Sequence, residues 1–464
     1  MKARTLLNSF FLAILLSFFS LTASAQPEIA EPEMKGCGTA VIGRKHMTAS
    51  AAEARQKQKA RRKAYSGERR GLIILVDFPD VPFLDGNVLQ TWTDIVNKSG
   101  YADNGAMGSV SDYFYDQSYG QFRLMFDVVG PVTAAQDHDY YGDNIDWGDP
   151  TGWFDQNVGE LVEEACRGVS DKVSFADYDW DGDGEVEEVY ILYAGHGEND
   201  YWNRDSTVIW PHMATLMYDW EGYEEGLMLQ GVRINTYACS NEINRSGSLA
   251  GMGTFCHEFS HCLGLPDMYN TEDGSSVLGR YDLMDQGNYN GNSWCPVGYS
   301  SYERYSSGWL EPVPVDDVKS ITIAPENLTR DLMTAFIRPL HEYPDAFIYH
   351  TSEDASDYYL IEYRKKESWD TYIPRAGLLA WHIDYDEQAW EENTVNNDPY
   401  HLRVEHMTVD IVPSGISDVI LGSQSSTAIY DLRGNIISPF MFSPLPHGIY
   451  IVRMSDGTTK KCIR

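Results

Sequence analysis

Hydrophobic residues recur along this chain with two periods, and each predicts a different element. Leu72 to Val76 is an unbroken apolar run closed by Asp77, Pro79 and Pro82, the pattern of a buried strand that runs into a turn. Val158, Leu161, Val162, Ala165 and Val169 keep helical spacing, and Val189 to Tyr193 reads as a strand again. Met252, Phe255, Phe259 and Leu263 return to the helical period. At about 100° per residue they lie opposite His257 and His261, which are themselves only about 40° apart. Gly264 stands where a left-handed C-cap would close that helix, and Pro266 forbids its continuation. Farther on, Tyr358 to Tyr363 and Gly377 to Ile383 are strand-like, so residues 315–413 read as β-rich.

The predicted helix carries His257-Glu258-Phe259-Ser260-His261, with the two histidines on its polar face. Two histidines four apart can grip one metal ion, and Glu258 then sits beside the metal, free to act as a base. Asp267, just past the Gly264 turn, can swing back as a third ligand, with Glu303 as the alternative. Three protein ligands and an open fourth position make a catalytic zinc arrangement, whereas structural zinc is closed by four cysteines or histidines. Tyr281-Asp282-Leu283-Met284-Asp285 supplies a methionine whose adaptable thioether can fill the floor of such a site. Tyr289 is a candidate transition-state donor. His212, beside Trp210, reads as packed structure.

A second cation is expected upstream. Asp177, Asp179, Asp181, Asp183 and Glu188 match the calcium pattern D-x-D-x-D-G-x5-E, with Gly182 at its turn. Because a strand follows the loop, it is a calcium loop outside a full EF-hand.

These residues resemble the immune inhibitor A family of secreted zinc metalloproteases, whose extended motif is His-Glu-x-x-His-x-x-Gly-x-x-Asp. Similar family patterns occur in Gly71 to Phe78, in Ser111 to Gly120, in the acidic loop from Asp177, and in Tyr281 to Met284 with Gly308-Trp309-Leu310 beyond, covering roughly residues 70–412. The resemblance implies a peptidase in which the acidic loop is structural and the β-rich stretch belongs to the protease portion or packs on it. Tyr281 to Asp285 lies about where metzincin-type proteases place a methionine turn beneath the metal.

Composition narrows the picture further. The formal net charge is −34, yet the first 70 residues are basic; beyond them 22 Lys and Arg face 64 Asp and Glu. Such acidity leaves no basic groove for phosphates and argues against nucleic acid as a partner. Lys2 and Arg4, the apolar run Leu6 to Leu21 and Ala23-Ser24-Ala25 form a signal-peptide pattern, with no transmembrane segment after it. Residues 26–70 then read as a basic pro-segment held on an acidic protease. Cys37, alone within it, could fill the open metal position until cleavage after Arg62 or Arg70. Seven cysteines are too few for a disulfide scaffold and odd in number. Cys256 and Cys262 are too far apart on one helix to bridge.

The C-terminal end, rich in Ser and Gly near 414–426, carries an Asp456-Gly457 hairpin signal and resembles the sorting domain of Bacteroidetes-type secretion systems. The expected whole is an α+β chain. It comprises signal peptide 1–25, pro-segment 26–70, a metzincin-like zinc protease domain with mixed sheet and active-site helix at 71–314, a β-rich companion at 315–413 and a short β-rich tail at 414–464. The expected function is secreted, zinc-dependent endoproteolysis of proteins or peptides, with structural calcium, extracellular or cell-surface location and use of secretion machinery. Alternatives are a calcium-stabilised surface or adhesive protein with an inactive protease fold, and a zinc hydrolase of a non-peptide bond.

Overall fold

A computed structural model of the chain describes residues 65–145, 154–199, 205–220, 222–314, 322–323, 336–350 and 356–406, with strand segments 426–430, 436–437, 449–454 and 459–463. The expected signal peptide, the expected pro-segment up to residue 64 and Cys37 lie outside the described residues.

The described chain is mixed α/β. Strands β1 (Gly67–Asp77), β2 (Phe122–Thr133), β3 (Val189–Tyr193), β4 (His212–Thr215) and β5 (Thr236–Asn241) form one sheet in the order β2-β1-β3-β5-β4. All neighbours run parallel except β4, which is antiparallel to β5. Alternation along β1 explains its unbroken apolar run. Ile73 and Leu75 enter one core and Leu72, Ile74 and Val76 the other, so both faces are buried.

Of the helices that position the site, α1 (Val110–Gln117) opens with a capping box between Ser109 and Asp112. Helix α2 (Val158–Val169) buries Val158, Leu161, Val162, Ala165 and Val169 against one face of the sheet. On the opposite face lies α3 (Gly253–Cys262), the motif helix, followed by α4 (Ser301–Ser306). No helix among the described residues is long and apolar enough to cross a membrane.

A second sheet joins β6 (Val313–Pro314), β7 (Phe347–His350), β8 (Asp357–Arg364), β9 (Gly377–Asp384) and β10 (Leu402–His406) in sequential order. Its residues are not packed apart from the motif helix. Leu360, Trp369, Trp381, Val395 and Leu402 belong to the same hydrophobic core as Phe126, Phe255, Phe259 and Met284. Beside it Arg364, fully buried, donates to both carboxylate oxygens of Asp370 (2.7 and 2.6 Å), to Glu362 and to the Gly298 carbonyl, which ties β8 to the loop before α4. Near the C-terminus Ile449–Met454 pairs antiparallel with Thr459–Ile463 within a four-stranded sheet, while Asp456 and Gly457 of the expected hairpin turn lie outside the described residues.

Candidate metal centre

Two glycines set the ends of α3. At Gly253 a Cβ would lie 1.8 Å from the Asn288 carbonyl oxygen, so the helix can start there only without a side chain. Gly264 has φ of +88°, the left-handed cap conformation that the sequence predicts. Between them one face packs aromatically: Phe255 stacks on Tyr190 of β3 at 3.9 Å, and Phe255 and Phe259 meet the Phe126 ring at 5.2 and 5.5 Å. Removing one such buried ring would cost about 3–5 kcal/mol, so the helix is firmly anchored.

The other face gathers the donors. His257 Nδ1 bonds the Leu283 carbonyl at 2.8 Å, and His261 Nδ1 bonds the Leu265 carbonyl at 2.7 Å. A carbonyl can only accept, so each Nδ1 carries a proton and each Nε2 points inward. Both Nε2 atoms approach Asp267 Oδ1, at 3.1 and 3.3 Å, and the three residues are buried. Their donor atoms lie within 4.8 Å of one another.

Electrostatics holds this cluster together. Burial pulls the His257 imidazole down, but its hydrogen bond to Asp267, with Glu258 nearby, pushes it up to about 9. Burial opposes ionisation of Asp267, yet His261 and His257 hold its carboxyl well below the usual carboxylate range. A cation entering here therefore competes with protons. Two oriented imidazole nitrogens and one carboxylate oxygen fit a divalent metal, and Glu258, fully buried one residue from His257, fits the position of a base beside it.

The surroundings revise several sequence expectations. Glu303 does not join the cluster: its Oε2 accepts the Ser300 backbone N–H in a capping box at the start of α4, and burial raises its pKa. Leu283 contributes its carbonyl, while Met284 is buried and its own carbonyl accepts the Met268 N–H at 2.8 Å. Tyr289 sits at the end of the 3-10 turn Gln286–Tyr289. His212 is packed, with Nδ1 at 2.6 Å from the Trp210 carbonyl and Nε2 at 2.8 Å from the Tyr237 hydroxyl.

The expected calcium loop is brought together only in part. Asp179, Asp181 and Asp183 bring carboxylate oxygens together, and Asp179 accepts the Gly182 and Gly184 backbone N–H groups at 2.7 and 2.9 Å. Asp177 is drawn away by Arg70, whose Nη1 is 2.7 Å from its Oδ2. Glu188 turns inward beneath α3. Its carboxyl is pushed well up by burial and by Glu258, and neither oxygen has a hydrogen-bond partner among the described residues. The strand that begins at Val189 commits Glu188, the twelfth position of the expected loop, to the core. Cys166, Cys239, Cys256, Cys262 and Cys295 are free thiols.

The model of the immune inhibitor A peptidase M6 catalytic domain matches residues 57–309, more than half of the chain. The chain belongs to the immune inhibitor A peptidase M6 family. It is similar to the pre-pro-metalloprotease PrtV of Vibrio cholerae, 25% identical over 271 residues that cover 50% of this chain and 29% of the relative. It is also similar to immune inhibitor A of Bacillus thuringiensis, 23% identical over 307 residues, 55% of this chain and 43% of the relative. The chain thus spans less than half the length of these relatives. A peptidase family whose relatives are metalloproteases implies a metal, and among the described residues the His257, His261 and Asp267 cluster is the more buried of two groups with three or more convergent metal-binding side chains.

Asn393 carries no signal of its role in the sequence. Its side chain contacts Asp267 from 126 residues away.

Proposed function

We propose that the chain is a zinc-dependent endopeptidase of metzincin-like fold, with His257, His261 and Asp267 as zinc ligands and Glu258 as general base. The observation that carries this reading is the convergence of two Nε2 atoms on one carboxylate oxygen beside a buried glutamate, in a chain of a peptidase family. The sheet order, with one antiparallel edge strand at β4 and the motif helix following β5, supports the metzincin-like assignment. Bound there, zinc would polarise a scissile carbonyl and lower the pKa of water. Glu258 takes the proton of the attacking water and hands it to the departing amine. The Leu283 and Leu265 carbonyls keep both histidines in the tautomer that leaves Nε2 available. Met284 is buried in the core that also holds Phe255 and Phe259.

Unfolded casein tests the reading. Purified protein, freed of its pro-segment, cleaves casein at internal bonds, stops after treatment with a strong chelator and recovers on addition of zinc. Intact casein would instead support the inactive adhesive alternative, and ester hydrolysis without peptide hydrolysis the non-peptide one.

Calcium is proposed at Asp179, Asp181 and Asp183, where oxygen donors suit a hard cation. Because a cation that binds only the folded chain raises its melting temperature by mass action, calcium raises Tm of the parent and of Asp177→Asn. It leaves Asp181→Asn/Asp183→Asn unmoved. An equal calcium shift in the double variant removes the site. Export as a latent precursor is supported by the N-terminal signal pattern and by a relative named as a pre-pro form. Delivery by secretion machinery through the C-terminal tail, to the medium or the cell surface, completes the proposal.

A further inference from the structure

Asp267 is gripped from outside the segment that matches the peptidase family. Its backbone N–H donates to Asn393 Oδ1 at 2.6 Å, and Asn393 Nδ2 donates to Asp267 Oδ2 at 2.7 Å. One amide side chain thus fixes both the backbone and the carboxylate of the same residue. With Oδ2 engaged, Oδ1 is the oxygen left facing His257 and His261.

Asn393 is itself held rigidly. It follows the short helix α5 (Glu387–Glu391), whose N-terminus Asp386 caps by accepting the Ala389 N–H, and it adopts a left-handed φ of +56°. It is 7% exposed. The next residues continue the clasp: Thr271 donates from its N–H to Asn397 Oδ1 and from its hydroxyl to the Asn393 carbonyl, both at 2.9 Å, and Asn396 Nδ2 donates to the Met268 carbonyl at 2.6 Å. Val395 anchors the segment in the core that also holds Phe255 and Phe259. Residues 393–397 therefore embrace 267–271, and all of them lie beyond residue 309, where the match to the family's catalytic domain ends.

We infer that Asn393 is a positioning residue for the metal centre: it selects Asp267 Oδ1 as the ligand oxygen and makes the strand-rich region beyond residue 309 part of the metal-binding unit. This rests on the assignment of His257, His261 and Asp267 as ligands. A partner that orients a metal-binding carboxylate typically accounts for a 10–100-fold difference in metal affinity.

The test is zinc affinity of the full chain, measured by competition with a chromophoric chelator, with the absorption spectrum of the cobalt-substituted protein as a second readout of ligand geometry. Asn393→Gly removes the side chain while suiting the left-handed backbone, so the loop keeps its path. It lowers zinc affinity about 10–100-fold and alters the cobalt spectrum. Asn393→Asp, of the same size, keeps the acceptor for the Asp267 N–H but loses the donor to Oδ2, and it also loses affinity should the glycine variant fold poorly. Asn397→Ala, which touches Thr271 and not Asp267, changes affinity by less than about threefold, below the range expected of a residue that orients a ligand. Parental affinity and spectrum in Asn393→Gly overturn the inference, and so does an equal loss in Asn397→Ala, which would make the whole loop a scaffold. A parent chain that binds no zinc overturns the metal centre itself.

Discussion

Glu258→Gln lowers kcat for casein hydrolysis by about 10²–10⁴-fold and leaves zinc content at the parental level. The amide keeps the size and shape of the carboxylate in a site with no exposure, so the packing of α3 is preserved while the base is lost. The variant also separates chemistry from folding. Glu188 lies buried below, its carboxyl pushed up by burial and by the Glu258 carboxylate. The amide leaves the shape of the site unchanged, so Tm stays level. Near-parental turnover in Glu258→Gln would assign the base elsewhere; a collapse of zinc content along with activity would make Glu258 a metal or folding residue.

His261→Ala has an effect of a different kind. It removes one of the two inward Nε2 atoms and leaves Asp267 Oδ1 facing His257 alone. Zinc affinity falls by more than the 10–100-fold expected of a supporting residue, and casein hydrolysis disappears at any zinc concentration the folded chain tolerates. The loss of affinity and the loss of rate arise together, unlike in Glu258→Gln. The alanine also vacates the Leu265 carbonyl, which His261 Nδ1 holds at 2.7 Å, so the turn at Gly264 loosens and Tm falls modestly. Unchanged zinc stoichiometry and affinity in His261→Ala would remove the helix from the metal site.

Much of the centre was legible because its information is local. His257, Glu258 and His261 are related by one helical turn, the aromatic stripe says which way that turn faces, and Gly264 with Pro266 says where the chain reverses toward Asp267. The choice between Asp267 and Glu303 was not legible, since both are acids downstream of the helix. The deciding signal was nevertheless present: Ser300-Ser301-Tyr302-Glu303 is a capping-box sequence, and that role engages the Glu303 carboxylate. The acidic loop shows the limit of pattern matching. The twelve positions from Asp177 to Glu188 fit the calcium pattern, yet Arg70 pairs with Asp177 and Glu188 is buried just ahead of β3, and neither fact is encoded in the pattern. Asn393 lay beyond reach for a simpler reason, since a hydrogen bond across 126 residues leaves no periodicity in sequence. The same holds for the core shared by α3 and the second sheet: strand patterns at Tyr358 to Tyr363 and Gly377 to Ile383 predict strands, not what they pack against.

The most direct test of the whole account is a zinc titration of chelator-stripped protein, with casein hydrolysis followed at each addition. If His257, His261 and Asp267 form the single catalytic metal site, activity rises linearly from zero and breaks at one zinc per chain, and Glu258→Gln takes up the same one equivalent without gaining activity. Hydrolysis that is independent of zinc, or that saturates only after a second equivalent, would contradict it.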